Sequence, residues 1–203
     1  RTDLFDFDLP ALIAETDLLT EWFLPLALRR RATEEERGEH RRLWRAALSG
    51  IAAGRRVFVH RDYHAQNLLW LPQRKGVARV GLIDFQDAVA GNTAYDLISL
   101  IEDARRDVAP SVHEACLTRY VAEAGLDARD FATGFALMAA QRHARIIGLF
   151  VRLLKRDGKP EYLVHLPRVW RMFERALTHD ALEPLRAWVD RLLPPDLRHI
   201  GAT

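Results

Sequence analysis

Residues 56–84 break the pattern that runs through the rest of this chain. Residues 56–60 (Arg-Val-Phe-Val-His), 67–71 and 79–83 are short β-rich runs, and residues 72–76 read as a turn between the last two. On either side the apolar spacing is helical, over residues 9–28, 33–53, 94–106, 111–124, 130–155, 160–178 and 181–193. Pro10 sits in a first helical turn, where proline is tolerated, whereas Pro25 kinks or splits its segment. Thr33 with Glu36 three residues later makes a capping box, and Leu43, Ala46, Ala47 and Ile51 mark one apolar face. Gly54 supplies the stop, and the helix should run to roughly 30 Å. Gly125 and the Asp157-Gly158 pair punctuate the later helices. One β patch in a helical chain of 203 residues predicts an α+β fold, predominantly α-helical. That length suits one domain, or one large lobe of a bigger enzyme.

The composition excludes several function classes. Apolar residues at 49% and charged residues at 29% rule out a disordered tail. Thirty Lys and Arg against 28 Asp and Glu leave a net charge of +2, too small a surplus to point to nucleic acid. The run Arg29-Arg30-Arg31 reads as a solvated helix end. Cys116 is the only cysteine, so neither an intrachain disulfide nor a cysteine-rich zinc site can form, which suits a reducing compartment. No apolar run approaches a membrane span; Arg145 and Arg152 interrupt the best stretch. Acids at positions 3, 6 and 8 do not suit a signal peptide. The expectation is a cytoplasmic protein with neither nucleic acid nor membrane as a partner.

The β patch carries the chemistry. Residues 60–67, His-Arg-Asp-Tyr-His-Ala-Gln-Asn, fit the pattern H-R-D-x-x-x-x-N, and Asp84 follows an apolar run and precedes Phe85. Phosphoryl transfer asks for this set. The moving group carries spread negative charge, so the site needs positioned cations more than covalent chemistry. Mg2+ takes oxygen ligands, commonly one or two carboxylates plus phosphates. Asp84 offers a carboxylate and Asn67 an amide carbonyl. Asp62, earlier on the same loop, can orient the attacking hydroxyl and accept its proton.

On these residues the chain resembles the kinase-like phosphotransferases, in particular the aminoglycoside phosphotransferase and choline kinase superfamily. The resemblance implies Asp62 as catalytic base, Asn67 and Asp84 as Mg2+ ligands, and ATP as phosphoryl donor. It groups His60 with Asp62 in the catalytic loop, as a support rather than a second base. Asp96, in Tyr95-Asp96-Leu97, resembles the aspartate that braces that loop from behind, and serves equally as a helix N-cap. Residues 58–63, 83–88, 95–96 and 156–160 are similar to the bacterial cell-wall sugar kinases, which phosphorylate the anomeric hydroxyl of N-acetylmuramate and N-acetylglucosamine.

Other polar residues stay open between two readings. Asp87 and Asp103 either face the substrate or lie on a solvated helix face. Gln141 and Arg142 either bind sugar hydroxyls or close a polar network in the core. His64 receives no role, and Trp170, Phe173 and Trp188 read as core. Gln86 stands where protein kinases carry the glycine of D-F-G, and no A-P-E follows, which argues against a protein kinase. No Gly-x-Gly-x-x-Gly is present, and the lysines are Lys75, Lys155 and Lys159, all beyond the loop. Residues 1–203 are therefore expected to be a C-terminal lobe alone, inactive by itself, with apolar cleft surface available for self-association. Two other functions stand beside the sugar kinase. One is an aminoglycoside or choline-type kinase, although Glu102, Asp103 and Asp107 beside Arg105 and Arg106 suit a polycation poorly. The other is a pseudokinase-like binding module.

Overall fold

The computed structural model describes residues 4–198; the acid at position 3 and the remainder of the 1–203 span lie outside the described residues. The spine is a helix over Ala128–Asp157 (called α6 in chain order), whose 30 residues rise about 45 Å. The Asp127 side chain caps its start by accepting from the main-chain N–H groups of Arg129 and Asp130. Gly158, at φ 65°, ends it in the left-handed conformation that glycine takes without steric cost. Between residues 137 and 151 nearly every side of this helix is buried. α1 (Leu9–Leu18) lies along one flank and α7 (Leu166–Leu177) along another, where Trp170 packs on Phe23 and Phe173. The three expected core aromatics, Trp170, Phe173 and Trp188, are all buried.

Pro25 divides the 9–28 segment. A π-helical turn over Leu19–Phe23 follows α1, and α2 (Leu24–Leu28) restarts with Pro25 in its first turn. Gly148 of α6 presses on this junction: a Cβ there would stand 2.2 Å from the carbonyl carbon and oxygen of Leu18. α3 (Glu34–Ala52) has the expected capping box, with Thr33 and Glu36 each bonded to the other's main-chain N–H. α3 packs on α1 and on α8 (Glu183–Leu192), and buries His40, Trp44 and Leu48.

The β residues do not form the one unit expected over 56–84. β2 (Arg56–Val59) pairs antiparallel with β5 (Val89–Asn92), and β1 (Phe5–Asp6) adds in parallel on the far edge of β5. β3 (Leu68–Trp70) and β4 (Val80–Leu82) form a separate hairpin. β2 and β3 thus sit in different sheets, and the loop between them carries Asp62. α4 (Tyr95–Ile101) is shorter than expected, because the chain leaves the helix at Glu102, whose carboxylate is drawn to His143 and Arg175. α5 (Pro110–Ala124) ends at Gly125. Residues 160–165 form a 3-10 turn, because an α-helix running through Pro167 would clash with the carbonyl of residue 163. Among the described residues no helix is long and apolar enough to cross a membrane.

Candidate functional site

β2 delivers the chain directly into the loop. Val59 is held against Val89, and His60, Arg61 and Asp62 follow at the strand end. Arg61 has φ 71°, a left-handed conformation that costs a side-chain-bearing residue energy, so something must hold it. Asp96, in the first turn of α4, does so: Oδ2 accepts from His60 N at 2.7 Å and Oδ1 from Arg61 N at 3.1 Å. Burial raises the Asp96 carboxyl from its usual value, against the opposing pull of those two N–H groups. The N-cap of α4 is Ala94, so Asp96 acts on the loop rather than as that helix's cap.

The loop is tied to the second sheet. His60, buried, donates from Nε2 to the carbonyl of Ile83 at 2.9 Å. Asn67 Nδ2 donates to the carbonyl of Asp62 at 3.0 Å, and Ile83 N donates to the carbonyl of Asn67 at 3.2 Å. These bonds set Asp62, Asn67 and the residue before Asp84 side by side. Asp84 also has a left-handed backbone, φ 66°, and its carboxylate is exposed, with Oδ1 accepting from Gln86 Nε2 at 3.1 Å. With Nδ2 occupied by Asp62, the Asn67 Oδ1 is left as an acceptor. Among the described residues no three His, Cys, Asp or Glu side chains gather as a metal cluster. A cation here would rest on one amide oxygen and one carboxylate, a hard-oxygen pair that fits Mg2+ completed by phosphate and water.

Helix α6 contributes Arg142 and Arg145 within electrostatic reach of Asp62. Arg142 is buried, with Nε and Nη1 lacking a hydrogen-bond partner among the described residues, and burial lowers its pKa from the usual value. Arg145 pairs with Glu15 of α1 at 3.3 Å and also feels Asp87, which is exposed. Glu15 additionally pairs with Arg61, whose guanidinium lies 5.3 Å over the Phe7 ring. Glu15 and Arg145 were not singled out from the sequence. The one signal was the i, i+3 step from Arg142 to Arg145 in the largely apolar stretch over residues 134–151.

Two candidates are placed elsewhere. Gln141 is fully buried and donates from Nε2 to the main-chain carbonyl of Leu12 at 3.0 Å. Its amide bolts α6 to α1, which is the core-network arrangement of the two readings left open for it. Asp103 is buried, and its Oδ1 accepts from Arg105 N at 2.8 Å in its own turn. It remains within electrostatic reach of His64, which is likewise buried, and whose imidazole is lowered in pKa mainly by that burial.

Comparison with known proteins identifies the family. Residues 2–135 match the model of the phosphotransferase enzyme family. A Caulobacter vibrioides protein named N-acetylmuramate/N-acetylglucosamine kinase is 41% identical over 199 residues, covering 96% of this chain and 54% of that protein. Proteins of the same name from Neisseria meningitidis and Pseudomonas aeruginosa are 32% and 36% identical, over 98% and 84% of this chain and 60% and 51% of their own lengths. The chain spans about half the length of the curated relatives it matches. With the family model over most of its length and relatives this similar across nearly all of it, the chain belongs to the phosphotransferase enzyme family.

Proposed function

We propose that this chain carries the catalytic and substrate-binding part of a cytoplasmic kinase. The donor is ATP with Mg2+, and the acceptor is a hydroxyl of a small amino sugar, the anomeric hydroxyl of N-acetylmuramate or N-acetylglucosamine. The observation that carries the reading is the bond network joining Asp62, Asn67 and the turn at Asp84. Asp62 accepts the proton of the attacking hydroxyl; Asp96 and His60 keep its loop in register. Asn67 Oδ1 and the Asp84 carboxylate would hold Mg2+, which supplies charge neutralisation on the phosphate oxygens. Arg142, Asp87 and Asp103 are assigned to the acceptor side: Arg142 acts electrostatically on Asp62, Asp87 on Arg145, and Asp103 on His64.

The buried cation Arg142 and the adjacent Arg145 disfavour a polycationic acceptor such as an aminoglycoside. These 203 residues contain neither a Gly-x-Gly-x-x-Gly loop nor a lysine before Lys75, so we expect no turnover from them alone. Leu69, Trp70, Val80, Leu82 and Phe85 are exposed on the hairpin beside the loop, which supports self-association of the isolated chain through this face.

The test is turnover by the full-length protein with ATP and Mg2+ on N-acetylmuramate, N-acetylglucosamine, kanamycin and choline. Preference for either N-acetyl sugar is expected; preference for kanamycin or choline would reject the substrate assignment. Asp62→Asn should lower kcat by about 10²–10⁴ with little change in nucleotide affinity. Asp84→Asn should weaken Mg2+-dependent nucleotide binding. Near-normal turnover by both variants would remove the catalytic reading and leave a binding module.

A further inference from the structure

Helix α7 carries Arg168, Arg171 and Arg175 at steps of three and four, so their guanidinium groups leave the helix on one face. That face forms one wall of a cavity of about 250 Å³. The opposite wall is the segment after α4 and the first turn of α5, and it brings a fourth arginine, Arg106. Glu102, Asp103 and Asp107 are the carboxylates in the lining, so four guanidinium groups face three carboxylates.

The pairing is uneven. Arg168 makes a two-pronged bond to Asp107, 2.8 Å on each prong, and Arg175 bonds Glu102 at 2.7 Å. Glu102 is also held by His143 at 2.6 Å and His113 at 3.4 Å. Burial works to raise its carboxyl, and the histidines with Arg175 outweigh that and keep it well below the usual carboxylate range. It is therefore an ionised, fully engaged anion. The Asp103 carboxylate is turned to its own loop N–H. Arg106 and Arg171 line the same cavity without an ion pair of their own among the described residues, Arg171 acting on the Asp107 carboxylate only at longer range. A concave wall concentrates their field, and a planar guanidinium fork matches an oxyanion in two-pronged geometry.

We propose that this cavity binds a small oxyanion, a phosphate or a carboxylate group, between Arg106 and Arg171. Asp62, Asn67 and Asp84 are not in its lining. Asp103 lines it and also acts electrostatically on His64 of the catalytic loop, so the site adjoins that loop and an occupant changes the field there. The oxyanion has two possible sources. One is free phosphate or a phosphate monoester; the other is the carboxylate of an acidic sugar reaching across from the cleft. The proposal goes beyond phosphoryl transfer; its sugar arm rests on the substrate reading above, and its phosphate arm does not.

Titration calorimetry on the 203-residue chain tests it, with inorganic phosphate, N-acetylmuramate and neutral N-acetylglucosamine as probes. At least one of the two anionic probes should saturate, and the double variant Arg106→Gln/Arg171→Gln should weaken it by about tenfold or more. Both side chains belong to exposed residues, so the variant should keep its helical melt by circular dichroism, and the single variants provide a second check. Saturation by phosphate identifies the free-ion source. Saturation by N-acetylmuramate, without phosphate and with N-acetylglucosamine unaffected by the substitutions, identifies the sugar carboxylate. Failure of both anions to saturate below about 10 mM, or unchanged affinity in the double variant, would overturn the site.

Discussion

Arg61 and Asp84 hold left-handed backbone on either side of the candidate catalytic residues, a conformation that costs a side-chain-bearing residue about 1–3 kcal/mol. Arg61 is kept there by the Asp96 carboxylate behind it and by its own guanidinium, placed between Glu15 and the Phe7 ring. Asp96→Ala removes the acceptor for two main-chain N–H groups at once. It should destabilise the chain by about 1–3 kcal/mol in urea unfolding. In the full-length protein it should lower kcat more than it weakens nucleotide binding, because the loop and not the metal pair loses its support. Asp96→Asn retains one acceptor oxygen and should fall between the two; equal turnover by all three proteins would mean the loop holds itself. The H-R-D-x-x-x-x-N spacing was legible because its chemistry is local, within eight residues. Glu15 and Arg145 were not, because their meeting depends on α1 lying against α6, 130 residues away in sequence.

At the scale of elements, short-range rules governed what could be read. The Thr33–Glu36 capping box is present as expected, and Arg30 adds a two-pronged bond to Glu36 at 2.9 and 2.6 Å. That bond, more than any other contact, pulls the Glu36 carboxyl down to about 2. A carboxyl depressed in the folded state contributes stability that is full above its unfolded value, near 4.5, and is lost as pH falls toward 2. Urea melts across that range should therefore show the gap between wild type and Glu36→Gln closing as pH drops; a gap independent of pH would remove the ion pair from the account. Thr33→Ala should cost about 1 kcal/mol at neutral pH. β1 and β5 were missed for a physical reason. Phe5–Asp6 is two residues long, and Val-Ala-Gly-Asn lacks β-branched alternation, so β5 is a strand because β2 offers it a ladder, and β1 because β5 then offers it an edge. The 160–178 and 181–193 segments contained the right helices but not their 3-10 openings, which Pro160, Pro167 and Pro184 impose.

The whole molecule turns on one close approach. Gly148 lets α6 lie directly on the main chain of Leu18 and Leu19, where α1 widens into its π-helical turn. Gly148→Ala would gain helix propensity in an isolated peptide. Here the methyl group would meet main-chain atoms that cannot rotate aside, and the net effect should be a loss of about 3 kcal/mol or more. Urea unfolding of the variant checks this; a stability equal to or above wild type would show that the α1–α6 contact is loose. Arg142 and Arg145 lie within two turns of Gly148 on the same helix, so separating the two helices would also shift the cations beside Asp62.

The bond from Gln141 to the carbonyl of Leu12 spans 129 positions of the chain, and it has a counterpart in time. During synthesis the first helices emerge long before α6 does. Leu12, Ile13, Leu19 and Phe23 must then wait without the α6 surface until the ribosome has released residue 157. Closing so long a loop is slow relative to forming α3 or the β3–β4 hairpin, which need only neighbours already made. The segment over residues 9–28 thus emerges well before it can dock fully, and it is open to aggregation in the interval before α6 is complete.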